Sequence, residues 1–118
     1  MSDVSRNSDC LFCRIVAGEI PADVVSQRES TLAIKDIEPQ APTHVLVITK
    51  EHHCDLGALA AADPALAGTL AQHATEVAGE LGLDDYRVVF NTGALAGQSV
   101  FHVHGHVLGG RAMRWPPG

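Results

Sequence analysis

Positive charge is scarce in this chain: 8 Lys and Arg stand against 14 Asp and Glu, for a formal net charge of -6. A general nucleic-acid binder needs a basic patch or stripe, so no nucleic-acid partner is expected. A single nucleotide stays open, because backbone amides can hold phosphate without Lys or Arg. No apolar run approaches the roughly 20 residues that span a bilayer, so no membrane association is expected. No basic segment leads into an apolar one, so no signal peptide is expected. Cysteine is sparse and odd in number (Cys10, Cys13 and Cys54), which argues against a disulfide framework. The expected compartment is the reducing cytoplasm. Internal repeats and low-complexity tracts are missing. The charged fraction, 19%, is too low for a disordered chain.

What is present suits one small domain. The 118 residues are 46% apolar, enough for a core. A domain of this size often gains stability by dimerising. Residues 1–8 are polar and read as a disordered tail, leaving 9–118 as the domain. Asp9 is placed to cap a short helix whose Leu11, Phe12, Ile15 and Val16 recur at helical spacing, with Gly18 closing it. Strands are expected over 23–27, 31–37, 43–49, 86–91 and 100–108. Asp63 and Pro64 open a long helix whose Leu66, Leu70, Ala74, Val77 and Leu81 share one face, with Gly82 at its end. The result is an α+β fold: a five-stranded, mostly antiparallel sheet with one long and one short helix.

The chemistry concentrates in His102-Val103-His104-Gly105-His106-Val107-Leu108. Alternate residues of a strand share a face, so the three imidazoles project to one side. Packing explains this poorly, since aliphatic residues fill a core better. A metal site is one reading, because imidazole is the commonest metal ligand. Catalysis is the other. A neutral imidazole is a competent nucleophile toward phosphorus, and neighbouring imidazoles can orient it and donate hydrogen bonds to phosphate oxygens. Gly97-Gln98-Ser99, just upstream, offers amides and a hydroxyl to the same site.

This segment resembles the histidine-triad signature His-φ-His-φ-His-φ-φ, with φ apolar. The likeness extends over Ala33-Ile34-Lys35-Asp36-Ile37, Pro39-Gln40-Ala41-Pro42-Thr43-His44, Gly97-Gln98-Ser99-Val100-Phe101 and the terminal Trp115-Pro116-Pro117-Gly118. It is closest to the Hint branch, the histidine-triad nucleotide-binding proteins. The resemblance implies that His104 is the nucleophile, that His106 hydrogen-bonds the α-phosphate, and that His44 fixes the nucleophile's orientation. Ser99 would contact phosphate or assist the leaving group. Asn91, Gly97 and Gln98 would lie by the phosphate, and Asp36 by the ribose hydroxyls. Leu11, Phe12, Ile15, Ile34, Ile37 and Leu46 would line a purine slot. It also implies a purine nucleoside monophosphate or phosphoramidate as ligand, hydrolysis through a nucleotidyl-histidine, and no catalytic metal. A homodimer would join two sheets, with Trp115 near the partner's site. The alternatives within and beyond this resemblance are a dinucleoside polyphosphate hydrolase or nucleotidyl transferase, and a non-catalytic nucleotide-binding scaffold.

Two positions depart from the pattern. Gly105 replaces a bulky apolar residue and is expected to leave space behind the triad. Ile34 is aliphatic where the family can be aromatic. Separately, Cys10-Leu11-Phe12-Cys13 is a Cys-x-x-Cys pair open to zinc, redox or simple packing. A βαβ context for redox chemistry is missing. For a structural zinc, His52 or His53 could supply a third ligand and His102 the fourth. Similarity to bacterial-type relatives favours His52.

Overall fold

Residues 43–49 alternate between two apolar faces, and the architecture follows from that strand. The structure is a computed structural model describing residues 8–118; apart from Ser8, the expected tail lies outside the described residues. In chain order the elements are α1 (Leu11–Val16), β1 (Val24–Gln27), β2 (Thr31–Lys35), β3 (Thr43–Thr49), α2 (Leu56–Ala62), α3 (Pro64–Glu80), β4 (Tyr86–Val89) and β5 (His104–Gly109). They form a five-stranded sheet ordered β1-β2-β3-β5-β4, with every pairing antiparallel. No described helix is long and apolar enough to cross a membrane.

One sheet face presents Ala33, Val45, Val47 and Val107 to Leu66, Leu70, Ala74 and Val77 of α3. The opposite face presents Leu32, Ile34, Leu46 and Ile48 to Cys10, Phe12 and Cys13 at α1. Each fully buried Leu, Val or Ile side chain contributes roughly 1.5–3 kcal/mol, so α3 anchors the sheet. One polar group sits within this packing. His73 of α3 is fully buried, its Nδ1 2.7 Å from Thr31 Oγ1 and its Nε2 3.0 Å from Ser26 Oγ. Both ring nitrogens are thereby satisfied, as burial requires.

Several local expectations need correction. The cap of α1 is Cys10, whose Sγ accepts from Cys13 N at 3.4 Å, in place of Asp9. A third helix, α2, precedes the long one; Asp55 caps it by accepting from Ala58 N at 2.8 Å, and Asp63 separates the two helices. Its Leu-Gly-Ala-Leu-Ala-Ala-Ala sequence buries only Leu59, so no apolar stripe announced it. Strand β2 stops at Lys35, because Asp36 turns to accept the Glu38 N–H. Strand β5 begins at His104, later than residue 100, because Val103 N donates to His53 O at 2.7 Å and leaves the sheet ladder.

Gly105 does not leave a void. A Cβ there would stand 2.7 Å from Phe90 Cζ, so the Phe90 ring already fills the space behind the triad. Alanine would gain about 0.5–1 kcal/mol of backbone entropy. The overlap costs more, about 1–3 kcal/mol for an overpacked core. Gly105→Ala is therefore expected to destabilise the domain by about 1–2 kcal/mol in urea unfolding. A variant as stable as the parent would show that the Phe90 contact is loose.

Candidate active site and metal centre

The register of β3 against β5 assembles the site. Ile48 lies opposite His104, Leu46 opposite His106 and His44 opposite Leu108. His44 is therefore the diagonal neighbour of His106 on the same face, within reach across an antiparallel pair. His102 precedes β5 yet remains on that side, where Phe12 packs edge-on against both His102 and His104, with ring centroids 5.7 and 5.0 Å away.

Hydrogen bonds assign the tautomers. His104 Nδ1 lies 2.7 Å from the His102 carbonyl, so Nδ1 carries the proton and donates it. In the neutral ring Nε2 is then an unprotonated lone pair. Burial lowers the His104 pKa, opposed in part by the bond to the His102 carbonyl and by the Asp36 charge. On the neighbouring branch, Gln40 N–H donates to His44 Nδ1 at 3.0 Å. His44 Nε2 must then bear the hydrogen, which it donates to His106 Nδ1 at 2.9 Å. His106 is left with its hydrogen on Nε2. A lone pair on His104 and an N–H on His106 thus occur on rings 5.0 Å apart. The Asp36 carboxylate stands 3.3 Å from His44 Nε2.

Burial, followed by the proximity of His104 and His44, pushes the His106 pKa down to about 4 from 6.5. The sign of the pH effect follows. Between pH 6.5 and about 4 the unfolded chain takes up a proton at this residue and the folded chain does not. Stability is expected to fall as pH drops through that window and to level off below it. His106→Asn should lack this component. Parallel urea titrations from pH 8 to 4 check it, and identical slopes for both proteins would contradict it.

A cavity of about 500 Å³ opens beside these rings. Its apolar wall includes Leu11, Phe12, Ile15, Ile34 and Leu46, and its polar side includes Asp36, His44, Ser99, His104 and His106. That volume and this mixture suit a nucleotide-sized ligand.

A second cluster lies behind Phe12. His102 Nδ1 is 3.3 Å from Cys10 Sγ, 3.5 Å from Cys13 Sγ and 3.3 Å from His52 Nδ1, and Cys13 Sγ is 3.4 Å from His52 Nδ1. His102 Nε2–H donates to Thr49 O at 2.7 Å, which leaves Nδ1 as a lone pair directed at the sulfurs. Tetrahedral coordination at metal–sulfur and metal–nitrogen distances of about 2.3 and 2.0–2.1 Å separates ligand atoms by about 3.3–3.8 Å. These four separations fall in that range and all four ligand atoms lie within 4.8 Å of one another, so the residues fit zinc. His53 does not join them; it faces Glu51 at 2.8 Å. Asp36, His44 and His106 also converge, but there the Gln40 N–H places a proton on the would-be donor His44 Nε2. We read that group as a hydrogen-bond relay.

The HIT domain pattern matches residues 17–113. The chain belongs to the HIT family. It is 50% identical over 111 residues to an uncharacterized HIT-like protein of Synechocystis, covering 93% of this chain and 97% of that one. It is 47% identical over 116 residues to the 14 kDa zinc-binding protein of Zea mays, covering 95% and 90%. The crystal structure of the HIT family hydrolase from Legionella pneumophila superposes with a TM-score of 0.88 at 47% identity, covering 92% of this chain and 99% of that chain.

The HIT fold brings most of the expected residues to one cavity, including Ile37, which is otherwise exposed. Four are elsewhere among the described residues. Gln98 is buried and turned inward, donating to Cys54 O and Val100 O and accepting from Gly93 N, so it clamps the loop that presents Ser99. Asn91 packs against Gly97 outside the cavity lining. Trp115 is 82% exposed, beside the Arg87 guanidinium. Sequence reasoning missed Gln40, whose backbone N–H sets the His44 tautomer. A backbone donor leaves no signal in residue identity.

Proposed function

We propose that this HIT protein is a purine nucleoside phosphoramidase that acts through a covalent nucleotidyl-histidine. The observation that carries the reading is the pairing of tautomers: a His104 Nε2 lone pair beside a His106 Nε2–H. His104 Nε2 attacks the α-phosphorus, forming a nitrogen–phosphorus bond as the bond to the leaving amine breaks. The leaving nitrogen takes one proton through the Ser99 hydroxyl and departs as the neutral amine, and the water that attacks in the second step gives that proton back. His106 Nε2–H meets the negative charge that develops on a phosphoryl oxygen, where positioned donors do most of the work. Water then cleaves the nucleotidyl-histidine, releasing nucleoside monophosphate and restoring the lone pair. The purine would lie against Leu11, Phe12, Ile15, Ile34, Ile37 and Leu46, with Asp36 on the ribose hydroxyls. The name of the Legionella relative as a hydrolase supports the reaction class.

Structural zinc held by Cys10, Cys13, His52 and His102 belongs to the same reading. The ligand spacing supports it, as does the zinc-binding name of the maize relative. Zinc would tie α1 to the approach of β5 and takes no part in the chemistry. We further propose a cytoplasmic homodimer whose sheets continue across the outer edge of β4, with Asn91, Gly97 and Trp115 recruited to the phosphate or to the partner's site. The position of β4 at the sheet edge supports this geometry.

Substrate choice separates this reading from its relatives. Adenosine or guanosine 5′-phosphoramidate should be cleaved with a kcat/KM at least about 10²-fold above that for diadenosine polyphosphate, or about 2.7 kcal/mol. The reverse preference would make the protein a dinucleoside polyphosphate hydrolase.

A further inference from the structure

We infer that Arg111, a residue outside the cavity, is a positioning residue for His106; the inference rests on the phosphoramidase reading for its kinetic consequence. Arg111 Nε–H donates to the Gln40 carbonyl at 3.1 Å, across 71 residues of sequence. The N–H of that same Gln40 donates to His44 Nδ1 at 3.0 Å, and His44 Nε2–H donates to His106 Nδ1 at 2.9 Å. The guanidinium therefore restrains, through the Gln40 carbonyl, the same residue whose N–H opens the relay that ends on the N–H offered to the phosphoryl group; the two Gln40 groups lie in adjacent peptide units joined at its Cα.

Three features give this link a job. Gln40 lies in the irregular segment between β2 and β3, so no sheet ladder holds its peptide. Besides the backbone bond from Asp36 N to His44 O at its base, the described bonds of that segment are local: Glu38 N to Asp36 Oδ1, and Gln40 Nε2 to Glu38 O. Arg111 supplies a tie from outside the segment, and it is itself fixed by following β5 through Gly109 and Gly110. Gly110 has φ +91°, and a Cβ there would stand 2.9 Å from Pro42 Cβ, so the exit of β5 is pressed against the segment it restrains. The guanidinium fork suits this task, since Nη1 also holds the Ala112 carbonyl while Nε reaches Gln40. If Gln40 drifts, the Asp36 carboxylate 3.3 Å from Nε2 is left to hold the His44 tautomer without a donor on Nδ1, and the form with its hydrogen on Nδ1 becomes populated. His44 Nε2 then becomes an acceptor, His106 Nδ1 loses its donor, and His106 ceases to be held with Nε2–H toward the phosphate. The exposed side chain of Arg111 makes no apolar core contact, so the effect is separable from folding.

The test compares the parent, Arg111→Ala and Arg111→Lys by long-range ¹H–¹⁵N spectra of the histidine rings and by steady-state kinetics with adenosine phosphoramidate. For Arg111→Ala we expect His44 to change from one tautomer to a mixture, and kcat to fall about 10- to 100-fold with KM changed less than threefold, the scale of a misplaced acid–base group. Arg111→Lys, which keeps a donor, should recover part of both. An unaltered His44 spectrum in Arg111→Ala overturns the inference, whatever the rate does. An altered spectrum with parental kcat overturns it as well. If the parent itself does not cleave phosphoramidates, the functional reading fails, and the spectra still decide whether Arg111 sets the tautomer.

Discussion

Replacing His104 with Ala is expected to lower kcat on adenosine phosphoramidate by on the order of 10⁴–10⁶-fold while nucleoside monophosphate still binds. The magnitude decides between roles. Removing a general base typically costs about 10²–10⁴ in rate. Removing a covalent nucleophile costs up to about 10⁶, because the two-step path is lost altogether. Binding should survive, because the slot residues Leu11, Ile15, Ile34 and Leu46 do not depend on the His104 ring, and Asp36 and His106 remain on the polar side. Affinity for nucleoside monophosphate within about tenfold of the parent, or 1.4 kcal/mol, is expected by calorimetry. Loss of binding in parallel with rate would show that His104 holds the ligand and does not attack it.

Loss of the metal site should give the largest structural effect. Cys13→Ser removes one of the four donors proposed for zinc and leaves the buried His102 Nδ1 and Cys10 Sγ without a metal between them. Structural zinc can contribute about 10–16 kcal/mol in small peptides that fold only with metal. The loss here should be smaller, because α3 and its sheet face form an independent core. We expect about 3–5 kcal/mol and a fall in Tm of roughly 10–20 °C, with zinc stoichiometry dropping from one to none per chain. Chelation of the parent should reproduce the shift. Activity should fall too, because the His102 carbonyl that accepts the His104 Nδ1 proton belongs to a residue of the proposed zinc site. A parent protein that purifies without zinc and loses no stability with Cys13→Ser would refute the site.

How much of this was legible in the sequence depends on the range of the forces involved. The period-two spacing placed His104 and His106 on one face of β5, because strand geometry is local, whereas His102 reaches that side from ahead of the strand. The cap at Asp63, Pro64 and the apolar face of α3 were equally local. What escaped were partners brought in by topology. Phe90 fills the space behind Gly105 only because β4 and β5 pair at the sheet edge. Gln98 reads as part of a phosphate loop, yet its side chain is claimed by the Cys54 carbonyl, 44 residues away. The tautomers of His44 and His104 rest on a backbone N–H and a backbone carbonyl, which no side-chain pattern encodes. His102 belongs to the triad by spacing and to the metal cluster by contact. That division follows from the late start of β5.

The most direct test of nucleophilic attack by His104 is the stereochemical course at phosphorus. A nucleoside phosphoramidate made chiral at the α-phosphorus can be hydrolysed in isotopically labelled water and the product's configuration determined. Two successive in-line displacements, the first by His104 Nε2 and the second by water, predict net retention. Net inversion would mean a single displacement by water, with no nucleotidyl-histidine on the path.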